Sequence, residues 1–340
     1  MTILALDIGG ANLKAADGSG FAATCYFPLW QRPQELAEAL EALVAKAPAA
    51  DGFAVTMTGE LADCFVTKAE GVSHILAAVV KVAGRRDVRV YLTDGSLATP
   101  AAALERPLLA AASNWHALAR FAARFVSQGA GMLLDIGSTT CDLVALVDGR
   151  PQPLGRTDPE RLTSGELVYT GVVRSPVCAV ATSIPWRGAQ VPTAHELFAT
   201  TCDAYLMLGD LAEGLDNTHT VDGRPATKSA ARDRLARTIC ADREVFTDDD
   251  AIAAATAIAR AQLAKIAIAA QNVIRRMPMP PATVVACGQG EFLAARLLER
   301  MKLPARLVPL DDELGRDLSR AATAHALAVI ARESVLKTPR

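Results

Sequence analysis

A strand that ends in Asp-Ile-Gly and turns back into a second strand occurs twice in this chain, 128 residues apart. The first copy reads LALDIGGANLKAADGSG (Leu4–Gly20) and the second MLLDIGSTTCDLVALVDG (Met132–Gly149). Each runs strand, Asp-Ile-Gly turn, strand, Asp-Gly turn. Two copies of one supersecondary unit predict two related domains with a cleft between them. The boundaries expected are 1–128 and 129–340, with a loop-rich insertion in the second domain at about 155–245.

The remaining pattern supports an α/β chain. Short apolar runs at Phe53–Met57, Val88–Leu92, Thr283–Cys287 and Arg306–Val308 read as strands. Helical spacing marks Pro33–Ala47, Val72–Ala83, Asn114–Ser127, Asp248–Arg276, Glu291–Met301 and Ser319–Ala331. Lys337–Arg340 is expected to fray. With 340 residues, 51% of them hydrophobic, the chain can bury roughly three quarters of its unfolded surface. Net charge is -2 with the signs interspersed, which argues against a nucleic-acid partner. The seven cysteines form no C-x-x-C pair and read as small buried thiols of a reducing cytoplasm. The apolar run near Ile252–Ile268 is interrupted by Arg260 and Lys265, so it reads as a buried helix and not a membrane span. No leader peptide is evident, and a cytoplasmic protein without a membrane partner is expected. Self-association into a homo-oligomer stays open.

The turns carry the chemistry. Glycine frees the backbone to approach a ligand, successive bare N–H groups make an anion-binding concavity, and a carboxylate at the strand end suits Mg2+. Asp7 and Asp135 are therefore the candidate magnesium ligands. Gly9, Gly10, Asn12, Lys14, Gly137, Ser138, Thr139 and Thr140 are the candidate phosphate ligands, and Lys14 is the lysine nearest either turn. A third glycine turn, Gly288 to Gly290, follows the strand at Thr283–Cys287 and opens a helix that favours a phosphate or nucleotide. Glu60 and Asp63 follow a buried strand in a polar loop and can serve as a catalytic base; capping and ion pairing are the structural alternatives. Lys68, Arg174 and Arg187 are candidate substrate-binding cations; for the two arginines a surface or interdomain ion pair is the alternative. Asp94 and Ser96, after the strand ending at Leu92, sit at an address similar to that of Glu60 and Asp63; capping and ion pairing are favoured there, with a catalytic role as the alternative. Trp115 and Trp186 read as packing residues, with an aromatic substrate contact as the alternative. A metal site around His219, Asp216 and Asp222 would need distances that spacing does not guarantee.

The order LDIGGANLK, LDIGSTTCDL and CGQGEFL resembles the actin/sugar-kinase/Hsp70 ATPase superfamily, in its hydantoinase/oxoprolinase-like branch. The stretches TMTGELADCFVTKAEGV, YTGVVRSPVCA, ELFATTCDAYLMLG and DGRPATKSAARDRLAR are more particular. They resemble proteins associated with tetrahydromethanopterin-linked C1 transfer. The resemblance implies two ribonuclease-H-like domains and a ligand between them. It also implies kinship with the synthase of methanofuran biosynthesis, which joins an aminomethyl-furanylmethyl diphosphate to the phenol of a tyramine unit and releases pyrophosphate. For a bacterial relative it implies the analogous methylofuran of formaldehyde oxidation. On that reading Mg2+ is the cofactor, the partners are a small diphosphate and a phenolic amine, and ATP is not required. An ATP-dependent kinase or lactam-opening hydrolase, and a non-catalytic nucleotide-gated protein, use the same turns.

Overall fold

The computed structural model describes residues 2–336, so the predicted fraying of Lys337–Arg340 lies outside the described residues. The first sheet contains β1 (Ile3–Ile8), β2 (Asn12–Ala16), β3 (Ala22–Tyr26), β4 (Gly52–Met57), β5 (Asp87–Tyr91) and the short β6 (Leu97–Ala98). Its spatial order is β3-β2-β1-β4-β5-β6. β1, β2 and β3 form an antiparallel meander, while β4 and β5 run parallel to β1. Every residue of β1 is buried, as expected for a central strand covered on both faces. Its side chains alternate: Leu4, Leu6 and Ile8 join the core formed with helices Leu36–Val44 and Lys68–Ala83. Ile3 and Ala5 face the other way, toward Leu327, Ala328 and Ile330.

The second sheet repeats this plan with β7 (Ala130–Ile136), β8 (Cys141–Val147), β9 (Arg150–Pro151), β10 (Leu167–Val168), β13 (Thr283–Cys287) and β14 (Arg306–Pro309). Its order is β10-β8-β7-β13-β14, with β9 beside β8; β7 and β8 are antiparallel, and β13 and β14 run parallel to β7. This repeated order of an antiparallel meander followed by parallel strands is the ribonuclease-H-like arrangement. Helices Asn114–Ala122 and Ala322–Leu336 supply the layer between the sheets. Leu118, Ala322 and Ala326 pack on the second sheet, whereas Ala117, Leu327 and Ile330 pack on the first. The C-terminal helix therefore closes the first sheet as well as the second.

The middle of the chain carries short elements among its loops: helices Asp158–Ser164, Thr201–Leu208 and Lys228–Arg237 and the hairpin β11 (Ser183–Trp186)–β12 (Ala189–Pro192). Apart from Asp158–Ser164 they share a core with the first half of the long helix Asp248–Arg276, including Leu206, Leu235, Phe246 and Ile258. The helix starts carry threonine caps: Thr157 and Thr200 close capping boxes with Glu160 and Asp203, and Thr227 accepts from the Ala230 amide. These caps satisfy backbone donors that a helix end otherwise leaves orphaned. The helix Asp248–Arg276 is long and apolar enough to cross a membrane by length and composition; in the fold, Ala254, Ile258, Ile266 and Val273 bury against the two cores of this half. Other boundaries shift modestly. Helix Lys68–Ala83 starts four residues before the expected Val72, because Thr67 caps it, and Pro33–Glu35 and Ala123–Phe125 are 3-10 turns.

Candidate active site

A cleft of about 1220 Å³ opens between the two sheets, and both Asp-Ile-Gly corners line it. The first corner is a tight turn in which the Gly9 amide donates to the Asn12 carbonyl at 3.0 Å, and a Cβ on Gly9 would lie 2.9 Å from that oxygen. The second is its copy: the Gly137 amide donates to the Thr140 carbonyl at 2.8 Å. These two glycine amides are consumed in closing the turns, which corrects their expected role as direct phosphate donors. The amides of Gly10, Ala11, Ser138 and Thr139 donate to no protein partner among the described residues, and all four residues line the cleft.

Asp7 is 2% exposed. Its Oδ2 accepts from Thr323 Oγ1 and lies 3.3 Å from Lys14 Nζ, while its Oδ1 is buried without a partner. Thr323 belongs to the C-terminal helix, so the first phosphate corner is completed by the far end of the chain. Asp135 stands at the other corner. Burial and then the neighbouring charge of Asp142 push its carboxyl up to about 6, against the pull of Lys14. Lys14 faces both carboxylates: burial works against its charge, but Asp7 and Asp135 outweigh it and hold the ammonium above its ordinary range. The buried, unpartnered Oδ1 of Asp7 and the neighbouring Asp135 carboxyl are a donor set that fits a cation. No group of three or more His, Cys, Asp or Glu gathers into a metal cage among the described residues. Magnesium is compatible with that, since it binds through one or two carboxylates together with substrate phosphates and water.

Glu60 follows β4. The Thr58 amide donates to Ile8, and a Cβ on Gly59 would meet Gly9 backbone atoms at 3.2 Å, which sets Glu60 beside the first phosphate corner. Glu60 is 1% exposed, and neither carboxylate oxygen meets a donor at hydrogen-bonding geometry. Burial pushes its carboxyl up to about 7, the backbone amides of Glu60 and Ala112 and the charge of Lys68 oppose that, and Asp158 reinforces it. Gly71 makes this placement possible: any Cβ there would lie 2.4 Å from the Glu60 carbonyl. Asp63 also lines the cleft but is exposed.

The other candidates divide. Asn12, Thr140, Gly288 and Arg174 line the cleft. Gly288 has φ +90°, and a Cβ on it would fall 2.4 Å from Asp135 Oδ1, so this glycine protects the carboxylate's space. Gly290 is buried against Ile136 and Val172 and serves packing. Lys68 is not among the cleft-lining residues; it spans the two halves in a 2.5 Å ion pair with Asp158. Arg187 lies at the tip of the β11–β12 hairpin, over the Trp186 ring and away from the cleft. His219 stacks on Tyr26 with ring centroids 3.8 Å apart, and Asp222 is taken by Arg224 and Arg234. Asp94 accepts from Ser96 in a local turn.

Sequence reading missed Thr323, Trp30, Arg161 and Asp142. Arg161 is fully buried, pairs with Asp142 at 2.8 Å and lies over the Trp115 ring, forming one wall of the cleft. Asp142 is buried within the continuously buried run of β8 and could have been found as a charge inside a strand. Thr323 had no local signal.

The architecture and site define a two-lobed protein of the actin/sugar-kinase/Hsp70 type, with paired Asp-Ile-Gly corners in its cleft. The hydantoinase/oxoprolinase family profile matches residues 51–329, and the chain belongs to this family. Among its relatives, the (4-{4-[2-(gamma-L-glutamylamino)ethyl]phenoxymethyl}furan-2-yl)methanamine synthase of Methanocaldococcus jannaschii is 33% identical over 338 residues, covering 98% of this chain and 99% of that protein. The synthase of the same name from Methanococcus vannielii is 27% identical over 217 residues, 63% of this chain and 97% of that one. Component A of the Acidaminococcus fermentans (R)-2-hydroxyglutaryl-CoA dehydratase aligns over 99% of this chain and 100% of its own, at 13% identity and a TM-score of 0.49.

Proposed function

We propose that this chain is a transferase of methanofuran-type cofactor assembly, including the methylofuran analogue, in tetrahydromethanopterin-linked C1 metabolism. It condenses an aminomethyl-furanylmethyl diphosphate with a tyramine-type phenol and releases pyrophosphate. The observation that carries this reading is the end-to-end 33% identity to a synthase named for a phenoxymethyl-furan methanamine. The new bond in such a product is an aryl ether between the phenol oxygen and the furanylmethyl carbon. The bond that breaks joins that carbon to the diphosphate, whose oxygen takes the electron pair. The furan oxygen stabilises the developing cation, so the protein's main task is to receive the anion.

The open amides at Gly10, Ala11, Ser138 and Thr139 and the Lys14 ammonium suit a diphosphate lying across the cleft. Magnesium held by Asp7 and Asp135, directly or through water, would supply the remaining charge neutralisation. Glu60, buried, unpartnered and poised near neutrality, takes the phenolic proton; a base with a pKa near the working pH is the efficient choice. The test is incubation with Mg2+, the furanylmethyl diphosphate and tyramine or its γ-glutamyl amide, with the ether followed by mass spectrometry and pyrophosphate release assayed. Asp135→Asn should abolish magnesium-dependent turnover. Full retention of activity in that variant would remove the metal assignment.

The cleft also contains Gly288, Gln289 and Glu291 of the third glycine turn, the feature that favours an ATP-dependent reading. ADP formation coupled to turnover would establish it; pyrophosphate release without ADP would exclude it.

A further inference from the structure

Above the two phosphate corners stands a pair that no catalytic argument has used. Arg174 belongs to the second half of the chain and Trp30 to the first; the guanidinium carbon lies over the Trp30 ring, 4.8 Å from its centroid, and both residues line the cleft. Each is tied to a corner by its backbone. The amides of Val173 and Arg174 both donate to the Ser138 carbonyl, at 3.1 and 2.9 Å. The Leu29 amide, one residue before Trp30, donates to the Gly10 carbonyl at 2.9 Å. The loop carrying Arg174 also presses on the second corner, since a Cβ on Gly171 would lie 2.4 Å from Ser138 and Thr139 backbone atoms. The pair is thus a clasp whose two ends are anchored to the two turns with open amides.

Charge distinguishes Arg174 from Lys14 and Arg161, the cations beside the corner carboxylates, and its stacking on Trp30 distinguishes it from Arg316 and Arg320, which also line the cleft. Lys14 is paired with Asp7, and Arg161 with Asp142. Arg174 is exposed, and its guanidinium has no carboxylate or hydrogen-bond partner among the described residues. An aromatic face can hold a guanidinium in place while leaving its five N–H donors free at the rim. Those donors match the oxygens of a diphosphate in a bidentate fork.

We infer that Arg174, positioned by Trp30, closes over the leaving diphosphate and receives the negative charge that grows on it as the carbon–oxygen bond breaks. This rests on the transferase reading for the identity of the anion. Arg174 would be a catalytic residue and Trp30 a positioning residue, and the clasp would make anion binding depend on both halves of the chain.

The probe is inorganic pyrophosphate, measured by titration calorimetry with Mg2+ on the full chain, in parallel with ether formation. Arg174→Ala should weaken pyrophosphate binding about tenfold to a hundredfold, the loss expected for charge-assisted hydrogen bonds, and lower kcat. Arg174→Lys should recover part of the affinity, because it restores charge without the fork. Trp30→Ala should weaken pyrophosphate binding in the same direction and Trp30→Tyr should largely restore it, which a role in folding alone would not produce. Unchanged pyrophosphate affinity in folded Arg174→Ala would overturn the inference. So would a variant in which only the KM for the γ-glutamyl acceptor rises and that for tyramine does not, since the anion recognised would then be the acceptor's carboxylate. A wild-type protein that binds pyrophosphate through Arg174 but forms no ether would sink the transferase reading and leave the clasp standing.

Discussion

Glu60 is stored in a costly state. Its carboxyl is raised from 4.5 to about 7 by burial, so the folded protein binds a proton that the unfolded chain releases near pH 4.5. That contribution is fully present below the unfolded pKa and is lost as pH rises through about 7. Ionised Glu60 then destabilises the fold by roughly 3 kcal/mol. Glu60→Gln should therefore raise the melting temperature at pH 8 and leave it nearly unchanged at pH 4. The same substitution should lower turnover by about a hundredfold to ten-thousandfold and remove an acidic limb near pH 7 from the rate profile. Stability gained where activity is lost would mark a site held for function. The residue type and its address after a strand were legible in the sequence. Its burial was not, because that depends on the helix Lys68–Ala83 touching it through Gly71.

The helices of the central segment show a different lesson. Thr157, Thr200 and Thr247 each stand three residues before Glu160, Asp203 and Asp250, and all three close capping boxes. The pattern is a local signal of helix starts, so these short helices are legible among the loops that surround them. What polarity conceals is a charged network. Arg234, with no side-chain exposure, bonds Asp203 at 2.7 Å and Asp222 at 3.0 Å, and Asp233 receives Arg224 and Arg243. This ties helix Lys228–Arg237 to helix Thr201–Leu208, whose residues Cys202 and Leu206 line the cleft. Arg234→Met would leave Asp203 charged, buried and unpaired. It should cost about 3–5 kcal/mol, read as a lower midpoint in urea unfolding. The double variant with Asp203→Leu should recover most of that loss.

The two halves communicate through the Lys68–Asp158 pair, which bridges the cleft with both side chains about one fifth exposed. Both charges act on Glu60: Lys68 lowers its pKa and Asp158 raises it. Lys68→Met should therefore move the acidic limb of the rate profile to higher pH, Asp158→Asn should move it lower, and the double variant should lie between. Absence of opposite shifts would show that the pair only holds the lobes together. The duplicated Asp-Ile-Gly unit, its buried strands and its glycine corners follow from the sequence alone, because periodicity and turn chemistry act over a few neighbouring residues. Which amides stay open, which carboxylates lose their partners and how Thr323 reaches Asp7 were decided only when two distant segments packed around a shared helical layer. Burial and charge at the cleft belong to that assembly: they depend on atoms more than three hundred residues away along the chain.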